Sequence, residues 1–414
     1  MKAVIVTVGT ELLFGQTVDT NAVYLSQQLQ LLGIDVMYRH TVGDNPGRIR
    51  RILDLSYEDC DLVITTGGLG PTQDDITKEI VTEALGDALA VHDETEQAIR
   101  GFFAKAKRPM TENNLRQAML PTRADVFANR HGTAPGFALE TDGRIAICLP
   151  GPPREMKPMF EECAAPYLRA RCGGTIHYRM VRTFGIGESA LEAAISDLIS
   201  AQTDPTLATY AKDGECSIRV ASKRADEAEA RQAVCSMLET LHGRIGEYIF
   251  SDDNEELAAV VGKRLIERNI SVSCAESCTG GMFAQSLTGT PGISAVFDRG
   301  FVTYSNAAKA EELGVSPAVI EEHGAVSRET ALAMARGALS ASGSRLAISA
   351  TGIAGPGGGT EEKPVGLVYM ACIFDGKEMC ESIRARNNGR SWIRSYAVLH
   401  MLSMILRAIE DADS

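Results

Sequence analysis

Apolar and polar positions alternate along this chain with two periods, and the change from one to the other marks out its elements. Ala3–Val8 is a continuous apolar run that stops at Gly9, Thr10 and Glu11, and it reads as a buried β-strand. A helix follows from about Asn21, with Asp19 or Thr20 placed to cap it, then a strand at Asp35–His40, another helix, and a strand at Asp61–Thr66. Alternation of this kind predicts an α/β fold over residues 1–172, a parallel sheet covered by helices. From 173 to 252 the order becomes strand, helix, strand, strand, helix, which predicts a small α+β unit. Asp252, Asp253 and Asn254 break the pattern, and 253–414 opens with a fresh helix at Glu255. This third segment closes with a helix on which Trp392, Tyr396, Leu399, Leu402, Leu406 and Ile409 form one core stripe.

Charge narrows the function classes. Lys and Arg number 41 against 54 Asp and Glu, a net charge of −13 without a block of like charge. That argues against a broad nucleic-acid or anionic-membrane surface and leaves room for a local phosphate pocket. The opening apolar run is too short for a signal peptide, and no run approaches the roughly 18 apolar residues of a membrane span. The ten cysteines show no CxxC pairing and the seven histidines no HxxxH pair, so a reduced, cytoplasmic chain without a zinc site is expected.

In parallel sheets, ligands bind beyond the carboxyl ends of the strands, which directs attention to the loops after Val8 and Thr66. TTGGLGPTQDDITK (65–78) passes from a strand through Gly67, Gly68 and Gly70 to a helix start with Asp74 and Asp75. Glycines let backbone N–H groups face a phosphate, and two carboxylates beside them can hold a divalent cation. The simpler reading is that the aspartates cap a helix and the glycines turn the chain. In the LPGPPREMKPMF stretch (149–160), Arg154 and Lys157 are further candidates for phosphate charge. The middle segment lacks a basic face with interleaved aromatics and reads as a structural linker.

The third segment carries a different chemistry. AESCTGG (275–281) follows a strand, GFVTYSNAAK (300–309) brings Tyr304 and Lys309 together, and SATGIAGPGGG (349–359) sets Thr351 at the end of another apolar strand. Without metal ligands or a nearby His, a hydroxyl nucleophile needs another base, and a buried Lys of lowered pKa can serve. Ser277 as nucleophile, Lys309 as base, Tyr304 relaying or orienting the proton, and an oxyanion hole from backbone N–H groups near Thr279, Gly280 and Gly281 or at Gly352 would make an amidase.

Those three stretches resemble the C-terminal domain of the competence/damage-inducible protein A (CinA) family. VGTELLFGQTVDTN (8–21), TVGD (41–44), TTGGLGPTQDDITK, the ENN stretch (112–114), GTAPGF (132–137) and LPGPPREMKPMF look like that family's N-terminal domain, whose fold is shared with molybdopterin-binding proteins. The resemblance covers essentially the whole chain and implies three domains: molybdopterin-binding-like (1–172), KH-like (173–252) and nicotinamide-nucleotide amidohydrolase (253–414). It implies that the last hydrolyses the carboxamide of nicotinamide mononucleotide without a cofactor, and that the first is a divalent-metal ADP-ribose pyrophosphatase. By position it implies a deamidase pocket of Ser277, Ser294, Tyr304, Lys309 and Thr351, with Ser294 the rival nucleophile and Arg390 a candidate for the substrate phosphate. NNGRSW (387–392) departs from the family pattern, which more often has an acidic residue before the Arg. For the first domain it implies Asp74 and Asp75 at the metal, Gly67, Gly68 and Gly70 on phosphate, and Glu11, Asp19 and Asn21 lining the same cleft.

Two other classes stay open. One is a molybdopterin-binding or adenylyl-transferring protein, and the other a non-catalytic recombination-associated module, against which the net charge argues. A homodimer through the Trp392 stripe is a further expectation.

Overall fold

The computed structural model describes residues 1–171, 175–212 and 214–412. The expected boundary at 172/173 falls on residues outside this set. The chain divides into two compact units, one of residues 1–178 with 222–232, the other of 179–221 with 233–414.

The first unit is built on a six-stranded sheet. In chain order its main strands are β1 (Lys2–Val8), β2 (Asp35–Val42) and β3 (Leu62–Thr66). After a small pair, β4 (Leu89–Val91) with β5 (Met119–Pro121), come β6 (Asp125–Phe127), β7 (Gly136–Thr141) and β8 (Arg144–Leu149). The sheet order is β2-β1-β3-β8-β7-β6, parallel from β2 to β8, with β7 and β6 antiparallel at one edge. Buried side chains cover both faces of β1, β3 and β8, which is why these strands read as unbroken apolar runs. The helix Thr20–Leu31 begins where expected: Asp19 caps it by accepting from the Ala22 N–H at 2.9 Å. Because β2 and β3 flank β1 on opposite sides, the chain changes direction of winding beside β1. The ends of β1 and β3 therefore open at a topological switch point.

The middle segment matches its expected order. It comprises β9 (Thr175–Phe184), helix Glu188–Ala201, β10 (Thr206–Lys212), β11 (Glu215–Arg224) and helix Glu227–Ile245. A three-residue strand, β12 (Ile249–Ser251), which the pattern did not announce, completes a sheet of order β10-β11-β9-β12.

The last segment holds β13 (Val272–Glu276), β14 (Phe297–Val302), β15 (Leu346–Gly352), β16 (Leu367–Phe374) and β17 (Lys377–Arg384), in the order β14-β13-β15-β16-β17. β14, β13 and β15 are parallel, and β16 and β17 continue the sheet antiparallel. Here too the first strand lies between its two parallel successors, so the end of β13 is a switch point. Helix Arg390–Glu410 is buried along Ile393, Ala397, Met401, Leu402, Ile405 and Ile409. The stripe begun by Trp392 is covered by the same chain: Trp392 stacks on Tyr396 (ring centroids 4.9 Å), and Phe184 and Gly214 pack on Tyr396. Among the described residues no helix is long and apolar enough to cross a membrane, and the nine described cysteines are free thiols.

Candidate functional site

The strongest grouping lies at the end of β13. The parallel register pairs Glu276 with Val302 on one side and with Ala350 on the other, so the next residues, Thr303, Ser277 and Thr351, fall side by side across three strands. The Ser277 N–H donates to the Ala350 carbonyl at 3.0 Å and fixes the turn. On the helix Asn306–Leu313, capped by Ser305, Lys309 points down into this row and is buried (1% exposed).

Lys309 Nζ lies 3.1 Å from Ser277 Oγ, 2.9 Å from the Thr303 carbonyl oxygen and 3.4 Å from the Tyr304 carbonyl oxygen. Nζ thus faces three acceptors, two carbonyls and one hydroxyl, and the hydroxyl can in turn donate to the lone pair when the amine is neutral. Burial moves Lys309 the same way: desolvation holds its pKa below the ordinary value, opposed weakly by Cys278. In its neutral form the amine is placed to accept the Ser277 proton.

Other expected residues fare differently. Thr351 is buried beside Ser277, with its hydroxyl donating to the Ala325 carbonyl at 2.6 Å. Tyr304 is 61% exposed, and its hydroxyl accepts from Arg390 at 2.7 Å. It is therefore no proton relay between Ser277 and Lys309, which meet directly, and only its backbone carbonyl touches Lys309. Ser294 is not in the pocket of its own chain. It sits exposed in the short turn Ile293–Ala295 before β14, and the Val272 N–H to Val296 carbonyl bond puts it at the opposite end of β13 from Ser277. Gly352 lies within β15, where a Cβ would come 2.8 Å from the Leu367 carbonyl oxygen, so its glycine serves strand approach. Arg390 opens the helix Arg390–Glu410 and donates to the Gly355 carbonyl at 2.8 Å.

Sequence reasoning missed three residues here. Arg394, one turn after Arg390, donates to the Thr279 carbonyl at 2.7 Å. Thr303 supplies the nearest acceptor to Lys309. Glu276, fully buried, accepts from the N–H groups of Gly281 (3.0 Å), Phe283 (3.1 Å) and Ala284 (2.9 Å). The Gly281 N–H is thus taken, and the Gly280 N–H closes a turn onto the Ser277 carbonyl at 3.1 Å. Of the oxyanion donors expected between Thr279 and Gly281, the two glycine N–H groups are removed. Among the described residues the N–H groups of Cys278 and Thr279 meet no carbonyl or carboxylate oxygen.

In the first unit a cavity of about 330 Å³ opens at the switch point, lined by Glu11, Asp19, Asn21, Thr66, Gly151 and Val18 among others. Asn21 donates to Thr66 Oγ1 (3.0 Å) and to the Gly151 carbonyl (2.7 Å), tying the loops together. Gly67 adjoins them with φ 103°, where a Cβ would lie 2.2 Å from the Val8 carbonyl oxygen. At Gly68 a Cβ would strike Thr77 Oγ1 (2.1 Å), and at Gly70 the Asp75 carboxylate (2.5 Å), so both glycines let the loop close on itself.

The two aspartates expected at a metal differ in their surroundings. Asp75 turns back onto its own loop, accepting from the Thr72 N–H (2.8 Å) and hydroxyl (2.6 Å), and only Asp74 is exposed. No group of three His, Cys, Asp or Glu side chains suited to a metal ion occurs among the described residues. The pair does not form a cation cage by itself. Arg154 is 83% exposed at its side chain, and Lys157 lies over the Tyr24 ring.

Residues 4–170 match the probable molybdopterin binding domain family, 178–251 the damage-inducible protein CinA KH domain, and 254–409 the CinA C-terminal domain. A curated relative from Acetivibrio thermocellus, named "Putative competence-damage inducible protein", is 47% identical over 410 residues, 99% of each chain. A relative of the same name from Caldicellulosiruptor saccharolyticus is 50% identical over 389 residues, 94% of each chain. The solved competence/damage inducible protein CihA from Agrobacterium tumefaciens is 46% identical, covering 38% of this chain and 97% of its own, with a TM-score of 0.36. By near-full-length identity to these relatives, and by its molybdopterin-binding-like, KH-like and C-terminal segments in that order, the chain belongs to the CinA competence-damage inducible protein family.

Proposed function

We propose that the C-terminal segment hydrolyses the carboxamide of nicotinamide mononucleotide to nicotinate mononucleotide and ammonia. The observation that carries this reading is the buried Lys309, its pKa lowered by desolvation, held 3.1 Å from Ser277 Oγ by two backbone carbonyls. Ser277 Oγ attacks the carboxamide carbon while Lys309 takes its proton, and the N–H groups of Cys278 and Thr279 receive the developing oxyanion. Lys309 returns the proton to the leaving nitrogen, the C–N bond breaks, and ammonia departs from an acyl-Ser277 ester. Water then attacks the ester with Lys309 taking its proton, the acyl C–Oγ bond breaks as Lys309 hands that proton to Ser277 Oγ, and the nicotinate acid leaves, losing its own proton to solvent. Arg390, Arg394 and the N-terminal end of the helix Arg390–Glu410, whose first turn carries no acidic residue, suit the phosphate of a mononucleotide.

Ammonia release from nicotinamide mononucleotide in excess chelator, wild type against Ser277→Ala, tests the reading. Release that vanishes in the variant supports both nucleophile and reaction. No release from wild type defeats the substrate assignment.

A second activity is favoured by the cavity at the β1–β3 switch point. We propose cleavage of the ADP-ribose pyrophosphate there, dependent on a divalent cation, with Glu11, Asp19 and Asn21 facing the ligand. Asp74, exposed on the loop before the helix Thr77–Ala84, is the carboxylate free to approach such a cation. Chelator is expected to stop this reaction while leaving ammonia release intact.

A further inference from the structure

We propose that Glu276 is the positioning residue of the amidase centre, its buried carboxylate holding the loop Ser277–Gly281 in the shape that leaves the Cys278 and Thr279 N–H groups open to an oxyanion. The inference rests on the Ser277–Lys309 reading. Glu276 and Ser277 are adjacent on a strand end and point to opposite faces. Glu276 reaches Gly281, Phe283 and Ala284 on the side of the helix Met282–Thr288, whereas Ser277 reaches Lys309 on the helix Asn306–Leu313. The carboxylate thus works on the nucleophile's loop from behind, without touching the reacting atoms.

Three backbone N–H donors converge on it, with the Cys274 thiol, 3.8 Å from Oε1, as a fourth and weaker one. Gly281 and Phe283 share Oε2, and Ala284 takes Oε1. An ionised carboxylate is acceptor-only and satisfies all three. An amide would turn an NH₂ group against one of them and leave buried donors facing each other. Gly281 is held at φ 88° and Gly280 at φ 57°. With both set, the Gly280 N–H folds back to the Ser277 carbonyl and the Met282 N–H to the Thr279 carbonyl at 3.2 Å. Arg394 pulls on that same Thr279 carbonyl from the far side. Among the described residues, the N–H groups of Ser277, Gly280, Gly281 and Met282 all meet a carbonyl or carboxylate oxygen, and those of Cys278 and Thr279 do not. Releasing Glu276 frees Gly281, and with it the orientation of those two donors.

The test compares wild type, Glu276→Gln and Glu276→Asp in the full chain with a small fluorophosphonate. This probe bonds its phosphorus to the activated serine oxygen and expels fluoride, while Lys309 takes the proton. Mass measurement of the labelled peptide, with Ser277→Ala as control, gives a labelling rate that does not depend on the natural substrate. We expect Glu276→Gln to slow labelling about 100-fold, the scale of losing an oxyanion donor. Ammonia release should fall by the same factor in kcat, with KM within about 3-fold and the pH limb of Lys309 unmoved. Glu276→Asp keeps the charge on a shorter arm and should lose roughly 10-fold, between wild type and the Gln variant and below the loss of a whole oxyanion donor, and it decides the matter if the Gln variant does not fold. Labelling within about 3-fold of wild type in the folded variants overturns the proposal, because the carboxylate then only caps a helix. So does a loss accompanied by a displaced pH limb and a raised KM, which marks general collapse of the site, and so does wild type that is not labelled. Wild type labelled at Ser277 yet releasing no ammonia removes the substrate assignment and still tests Glu276 through the labelling rates.

Discussion

Lys309 Nζ lies closer to the Thr303 carbonyl oxygen, at 2.9 Å, than to Ser277 Oγ, at 3.1 Å. The carbonyls of Thr303 and Tyr304 accept hydrogen bonds from the amine in either charge state, so they aim the remaining valence at Ser277. Only the neutral amine offers a lone pair there. Burial lowers the Lys309 pKa from 10.5, so the active form is populated at lower pH than for a free lysine. Protonation on the acid side removes the base. We expect kcat/KM for ammonia release to rise with pH through the lowered pKa and level off before 10.5, and Lys309→Ala to cost roughly 10²- to 10⁴-fold. A limb at or above 10.5, or full activity of the variant, would remove Lys309 from the mechanism.

How far this site was legible follows from what each residue does locally. Ser277 and Lys309 stood out because a strand ending in Ser-Cys-Thr-Gly-Gly and a lysine in the first turn after a strand are both visible as pattern. Ser294 misled because closeness in sequence to the same strands carries no information about which end of a strand a turn occupies. Tyr304 misled because the residue contributes its backbone, which every residue type shares. Glu276 was invisible for a related reason: its partners are N–H groups five to eight residues ahead, and no side-chain spacing announces them. The alternating elements of the parallel sheets were readable from their apolar runs, whereas β12, three residues long, is made by pairing with β9 and has no pattern of its own.

Arg182 on β9 binds Glu215 on β11 at 2.9 Å and Glu256 at 3.1 Å, with Arg182 and Glu215 both under 10% exposed. The side-chain bond to Glu256 and the charges of Glu215 and Glu256 raise the arginine's pKa against an opposing desolvation, while burial raises that of Glu215. Removing the guanidinium leaves a buried carboxylate unpaired. Arg182→Ala should therefore lower stability to denaturant by about 3 kcal/mol. Arg182→Lys should recover little, since an ammonium cannot fork to two carboxylates. A small loss in Arg182→Ala would mean that water enters and solvates Glu215.

His400 packs edge-on against Phe184 (4.9 Å) and Tyr396 (4.6 Å) on the last helix. Desolvation lowers its pKa to about 4 from 6.5, Glu381 opposing and Arg407 assisting. Between those values the unfolded chain binds a proton that the folded chain does not. Its contribution is therefore present above pH 6.5 and is lost as pH falls through about 4, approaching about 3 kcal/mol. We expect His400→Phe, which keeps an aromatic ring and loses the titration, to flatten the decline of the unfolding midpoint between pH 6.5 and 4. An unchanged pH profile would assign that decline to other groups.

The neighbouring carboxylates of Asp74 and Asp75 separate a ligand role from a loop role. Asp75 accepts twice from Thr72 and holds the loop between the glycines and the helix Thr77–Ala84, so Asp75→Ala should cost about 1 kcal/mol of stability, the scale of a lost capping bond. Asp74 is exposed and takes no partner among the described residues, so Asp74→Ala should leave stability within about 0.5 kcal/mol. If the first unit cleaves ADP-ribose with a divalent cation held at this loop, Asp74→Ala should lose that cleavage while the fold and the chelator-resistant ammonia release stay intact. Cleavage that survives Asp74→Ala and disappears with Glu11→Gln or Asp19→Asn would move the cation to the cavity carboxylates. The two aspartates would then be left with the helix-capping and turn-closing work that their sequence pattern also describes.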